Sequence, residues 1–195
     1  DIKHIVITCN KNGKLAQMSL PKKDRALTIL LPEKTNDESL AMTSSFSSMV
    51  IAGQYLASVK DSAAYGKVVA QLAAAGRKIL TGYTCELEKL CSEAFERAVF
   101  LGSNTLYGCA KECHLKLQEE TDGKVVAKFD SFLGLRHGPE AVIHSNTLVV
   151  YLMSEEPLVH RYELDLMNGV KHKGIGMNKI AVCRKADADT KAAAD

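Results

Sequence analysis

"RAVFLGSNTLYGCAKECHLKLQEE", residues 97–120, is the stretch from which the rest of the chain can be read. Its first six residues are an apolar run that stops at Gly102. A polar loop, Ser103-Asn104-Thr105, follows and leads into a helix that runs to about residue 120. Downstream the alternation repeats. "TLVVYLMS" (147–154) reads as a buried strand. "PLVHRYELDLMNGVKHK" (157–173) reads as a helix, with Pro157 at its start and basic residues at its end, and "KIAVCRK" (179–185) as a last strand. Val125 and Val126 suit a short extended piece, and Pro139 suits the first turn of a short helix. Residues 186–195 suit a loop or helix.

Upstream, "HIVITCN" (4–10) and "RALTILLPE" (25–33) are continuous apolar runs of the kind found in strands buried on both faces. A long helix is expected over 35–60, opened by the capping types Thr35, Asn36 and Asp37. Further helices are expected over 63–80 and roughly 84–95. Strands that alternate with helices imply right-handed crossovers and a parallel sheet, hence an α/β fold.

The composition is that of an ordinary globular protein: 195 residues, 46% hydrophobic, 25% charged, net charge +2. That charge is too small to argue for nucleic acid, and no basic patch is interleaved with aromatics. No apolar run has the length of a membrane span, and the opening residues do not follow a secretory-leader pattern. The six cysteines form no CxxC pair. Most sit in apolar contexts, so they read as small hydrophobes that stay reduced in the cytoplasm. Cys109 and Cys113 share a helix face, but His114 points about 100° away from it. No second cluster completes a ligand set, so no metal is expected.

Candidate chemistry gathers around the second half. Ser103, Asn104 and Thr105 carry hydroxyls and an amide to a helix start, where such residues are more often caps than contacts to a sugar hydroxyl or phosphate. Lys116 and Glu119 lie three residues apart on one helix face: a surface ion pair, or a substrate-contacting lysine beside a carboxylate base. Arg136 and His137 precede Gly138-Pro139, either as a solvated turn or as a proton-handling site. No Walker loop, GxGxxG or local nucleophile signature is present.

Taken together, Gly102-Ser103, Leu106, Gly108, Leu115-Lys116, Glu119, Gly134, Arg136-His137-Gly138-Pro139 and the buried run 147–150 resemble the sugar isomerase (SIS) domain. "YELDLMNGV" (162–170) extends the likeness. It lies nearest to the tagatose-6-phosphate ketose/aldose isomerase family, which includes galactosamine-6-phosphate deaminase/isomerases. The resemblance implies a three-layer α/β/α parallel-sheet SIS fold, with two SIS domains each partly represented. Residues 1–60 would be the second half of the first, 61–95 inter-domain helices, and 96–195 the first part of the second. The chain then reads as an internal segment, with the family's phosphate loop outside it.

Similarity to the isomerase domain of glucosamine-6-phosphate synthase implies roles for particular residues. Glu119 matches the base that moves a proton between C1 and C2. His137 matches a ring-opening histidine supplied by a neighbouring subunit, and Arg136, beside it in the same motif, is expected to bind substrate. Lys116 matches a sugar-contacting lysine. Leu40 and Ala41, in "SLAMTSS", match a substrate-lining stretch, and Ser103 and Thr105 match the second-domain counterpart of a ligand loop. The implied activity is aldose/ketose isomerisation, with or without deamination, of a phosphorylated hexose or amino-hexose such as tagatose-6-phosphate or galactosamine-6-phosphate. It needs no metal or organic cofactor. The implied setting is a cytoplasmic homodimer or higher homo-oligomer with a shared active site, and no nucleic-acid or membrane partner. The alternative is a non-catalytic phosphosugar-binding SIS module.

Overall fold

The computed structural model describes residues 2–194, which divide into two units, 2–90 and 91–194. Unit 2 holds a four-stranded, wholly parallel sheet of β3 (Arg97–Gly102), β4 (Val126–Asp130), β5 (Thr147–Leu152) and β6 (Asn178–Val182), in the order β4-β3-β5-β6. From β3 the chain steps outward to β4, and from β5 it steps the opposite way to β6. Right-handed crossovers therefore send the connecting helices to opposite faces. α5 (Thr105–Glu120) packs on β3 and β4. On the other face lie α6 (Phe132–Arg136), a 3-10 turn (Pro139–Val142), α7 (Pro157–His172) and α8 (Ala188–Ala194). This is the three-layer α/β/α arrangement that the resemblance implies.

The core of unit 2 follows from strand alternation. Val99, Leu101, Val149, Tyr151 and Met153 point to the α7 side, where they meet Phe132, Leu135, Leu166, Met167 and Val170. All six residues of β5 are buried, as expected of a central parallel strand. Phe132 stacks on Tyr151 with ring centroids 5.9 Å apart. Gly102 is required by close approach, because a Cβ there would sit 2.3 Å from the carbonyl oxygen of Leu106, in the first turn of α5.

Unit 1 pairs β1 (His4–Thr8) with β2 (Ala26–Leu30) in parallel. α1 (Lys14–Ser19) packs on both strands, and α2 (Ser44–Ala57) on β1. α3 (Ser62–Gly82) and all but the last two residues of α4 (Thr84–Ser92) complete it. Here two sequence expectations give way. The first is that β1 and β2 are buried on both faces. In fact Ile5 is 63% exposed and Leu27 53%, because a sheet of two strands has few neighbours to cover it. The second is the helix over 35–60. A 3-10 turn covers Glu33–Thr35, and α2 begins only at Ser44.

The reason for the late start is Asp37. Its carboxylate accepts from the backbone N–H of Ser44 (3.0 Å) and of Ser45 (2.8 Å), and from the Ser45 hydroxyl (2.8 Å). It therefore caps α2 from seven residues upstream rather than starting a helix in place. The cysteines also differ from expectation. Cys85, Cys91 and Cys109 are exposed, because they fall on the outer faces of α4 and α5 or at the end of α4.

Candidate functional site

Lys116 and Glu119 lie in the last turns of α5, where three-residue spacing stacks them. The Lys116 ammonium donates to Glu119 Oε2 at 2.9 Å and sits 3.5 Å from Glu112 Oε1. The bond to Glu119, first of all, holds the ammonium above its ordinary pKa, so Lys116 stays charged. Glu119 keeps about a third of its side-chain surface in solvent, at 34%. An oriented, accessible carboxylate beside a fixed cation can take a proton from carbon while the cation steadies the negative charge that develops.

His137 ends α6. Its backbone N–H donates to the carbonyl of Gly134 (3.2 Å), and its ring is exposed. Gly138 follows at φ +124°, a conformation open to glycine, and turns the chain into the 3-10 helix that Pro139 starts. Arg136 is engaged elsewhere. Its guanidinium donates to Asp165 Oδ2 on α7 at 2.6 Å. α6 packs on α7 while α5 covers the opposite face of the sheet, so Glu119 and His137 stand on different faces of one chain.

Ser103 and Thr105 lie at the other end of α5 from Glu119, and the fourteen-residue step along the helix from Thr105 to Glu119 is about 21 Å. One hexose phosphate does not span that gap. The sequence-derived residues of unit 2 therefore fall in three places: Lys116 with Glu119, Arg136 with His137, and Ser103 with Thr105. Leu40 and Ala41 belong to unit 1, in the loop between Asp37 and α2. Leu40 is 82% exposed and Ala41 is buried, and the Ala41 carbonyl accepts from the Ser39 hydroxyl at 3.0 Å.

Similarity to known proteins supports the same reading. No protein-family model matches the chain. It is 38% identical over 182 residues to the D-galactosamine-6-phosphate deaminase AgaS of Shewanella sp. (strain ANA-3), covering 93% of this chain and 46% of that protein. It superimposes with TM-score 0.86 on the tagatose-6-phosphate ketose/aldose isomerase of Escherichia coli, at 34% identity over 98% of this chain and 51% of that one. A Clostridium novyi structure, provisionally named a tagatose-6-phosphate ketose/aldose isomerase, gives TM-score 0.94 at 34% identity, over 100% of this chain and 50% of that one. The chain is similar to these proteins over nearly its whole length, and it shares their fold. It spans about half the length of the relatives it matches.

Within unit 2, some side chains of consequence escaped the sequence reading. Glu163 of α7 is fully buried. Its Oε2 accepts from the backbone N–H of Ser154 at 2.8 Å, which ties the exit of β5 to α7. A signal for it was available: Glu163, Leu166, Met167 and Val170 form the i, i+3, i+4, i+7 stripe, so a carboxylate occupies a core position. His160 is a second case. Its Nδ1 lies 3.1 Å from the Ser154 carbonyl oxygen, and its Nε2 lies 3.5 Å from Asp187 Oδ2, the carboxylate that receives the Thr190 N–H at the start of α8. That contact depends on the packing of α7 and α8 and leaves no trace in sequence spacing.

Among the described residues, no group of three or more His, Cys, Asp or Glu is placed to hold a metal ion. No helix among them is long and apolar enough to cross a membrane.

Proposed function

We propose that this segment belongs to a sugar-phosphate isomerase or amino-sugar-phosphate deaminase/isomerase, with Glu119 as its proton-transfer base. The observation that carries the reading is the Lys116–Glu119 pair at 2.9 Å, in the L-K-x-x-E register of the sugar isomerase motif that the chain resembles. In this reading the substrate is a phosphorylated hexose or amino-hexose, such as tagatose-6-phosphate or galactosamine-6-phosphate. For the open-chain aldehyde, Glu119 takes the C2 proton and the C1 oxygen gains one, which gives an enediol. The carboxyl group then returns its proton to C1 as the C2 hydroxyl proton leaves, and the carbonyl now stands at C2. With a 2-amino sugar the intermediate is an enolamine. Reprotonation at C1 leaves an imine at C2, and water converts it to the ketone and ammonia.

His137 acts as the ring-opening acid/base. Its position on the sheet face opposite Glu119 supports service to a neighbouring subunit's substrate, and hence a homodimer or higher homo-oligomer. Arg136, anchored on Asp165, fixes the peptide that carries His137. We assign Leu40, with its exposed side chain, and Ala41 a substrate-lining role within unit 1. Ser103 and Thr105 sit too far from Glu119 to share its hexose in one chain. We assign residues 1–60 to the back of a first SIS domain, 61–95 to inter-domain helices and 96–195 to the front of a second, in a cytoplasmic protein.

The test uses the full-length protein with galactosamine-6-phosphate and tagatose-6-phosphate, and follows products by NMR. Turnover is expected, with a fall of at least about 100-fold in kcat for Glu119→Gln. No turnover, or full rate in that variant, overturns the reading. Saturable binding without product would instead support a non-catalytic phosphosugar-binding module.

A further inference from the structure

Outside the carboxyl ends of β3 and β5 the chain leaves the sheet in opposite directions, and such a switch point opens a crevice. Beside it in unit 2, between the exits of β3 and β4 and the first turns of α7, lies a pocket of about 350 Å³, within the range of small-molecule sites. Ser103 and Asn104 line one side. Phe132, Leu133, Leu158 and Tyr162 supply apolar walls, and Glu163 lies at its floor.

Three observations bear on what it accepts. Glu163 has no exposed surface, and while Oε2 receives the Ser154 N–H, Oε1 has no hydrogen-bond partner among the described residues. A buried carboxylate oxygen without a donor is costly, and a carboxylate can only accept, so the missing partner is an N–H or O–H group. Asn104 adopts φ +52°, ψ −123°, an uncommon backbone for a non-glycine residue, and its side chain makes no cap to α5. Two N–H groups in the first turn of α5, from Leu106 and Tyr107, already donate to the carbonyls of Ser103 and Asn104, which makes that helix end a poorer receptor for anions.

We infer that unit 2 carries a second ligand pocket, separate from Glu119, that binds a small polyhydroxylated molecule or its amine through a hydrogen bond to Glu163, with the ring face against Leu133, Leu158 and Tyr162. These rim residues are 50%, 59% and 52% exposed, so they can change rotamer to admit a guest to the buried floor. The carboxylate favours an ammonium over a hydroxyl and rejects phosphate. The inference goes beyond the catalytic reading and requires no turnover at Glu119.

The experiment titrates the full chain, uniformly 15N-labelled, with D-galactosamine, D-galactose and inorganic phosphate, and reads amide shifts. Saturable shifts at Ser103, Asn104, Leu133 and Tyr162 are expected, with D-galactosamine tighter than D-galactose and no response to phosphate. Glu163→Gln should weaken D-galactosamine binding by at least about 10-fold. Because that buried position can also affect folding, Leu133→Trp provides an independent arm: the indole fills the mouth of the pocket and lowers affinity similarly while Glu163 stays in place. The inference is overturned if no shift saturates, if shifts gather only around Lys116 and Glu119, or if Leu133→Trp binds as the parent does. Unchanged binding in a folded Glu163→Gln protein would overturn it too, pointing to a trapped water as the partner of Oε1.

Discussion

β5 and β1 are both apolar, β-branched runs in parallel sheets, yet one is buried along its whole length and the other is not. β5 lies between β3 and β6, with helices on both faces of the sheet. β1 has one strand neighbour, and α1 and α2 cover it only in part. The difference teaches that an apolar run specifies a strand, whereas the number of neighbours specifies how much that strand contributes. Burial contributes roughly 25 cal/mol per Å² of apolar surface removed from water, so the same residue type carries very different weight in the two sheets.

The strongest way to break this comparison is at Phe132, which is 1% exposed and stacked on Tyr151. Phe132→Ala should cost about 3–5 kcal/mol in urea denaturation. A loss below about 1 kcal/mol would mean that the α6 side of unit 2 is not packed as described. The next effect is at a helix start. Glu156 caps α7 by accepting from the Leu158 and Val159 N–H groups at 3.2 and 2.7 Å, so Glu156→Ala should cost about 1 kcal/mol. Ile5→Ala should cost about 0.5 kcal/mol or less, because that side chain is already 63% exposed. A cost above about 2 kcal/mol there would show that the open face of β1 is covered in solution.

The last prediction sharpens the contrast between the two caps. Asp37 reaches α2 across a loop, and the Ser45 N–H, with the Ser45 hydroxyl next, lowers its pKa from 3.8 to about 2. A depressed carboxylate pKa stabilises the fold above its unfolded value, and that contribution disappears as pH falls through the folded one. Amide-exchange protection at the start of α2 should therefore decline between about pH 4 and pH 2. Asp37→Asn should already show the reduced protection at neutral pH and change little on acidification. Hydrogen exchange read by mass spectrometry or NMR checks both.

Much of unit 2 could be read from one dimension. β3, β5, β6, α5 and α7 fall where apolar runs, Gly102, Pro157 and the basic end of α7 indicate, since these signals act over a few residues. α6 was not legible. Its five residues, Phe132–Arg136, are too few for a periodic pattern, and it is held by the Ser131 hydroxyl accepting from the Gly134 N–H. α2 was misread at its start because a capping residue was taken to cap locally, whereas Asp37 acts seven residues away.

The site divides in the same way. That Lys116 and Glu119 pair on one helix face was fixed by their spacing, because three residues span nearly one helical turn. That Ser103 lies at the far end of that helix, and His137 on the opposite face of the sheet, was decided only by crossover handedness and strand order. The sequence by itself determined which chemical groups are available, through local periodicity and turn chemistry. Tertiary structure alone decided which of them meet, and which buried oxygen, Glu163 Oε1, is left without a donor, because such distances depend on how whole elements pack.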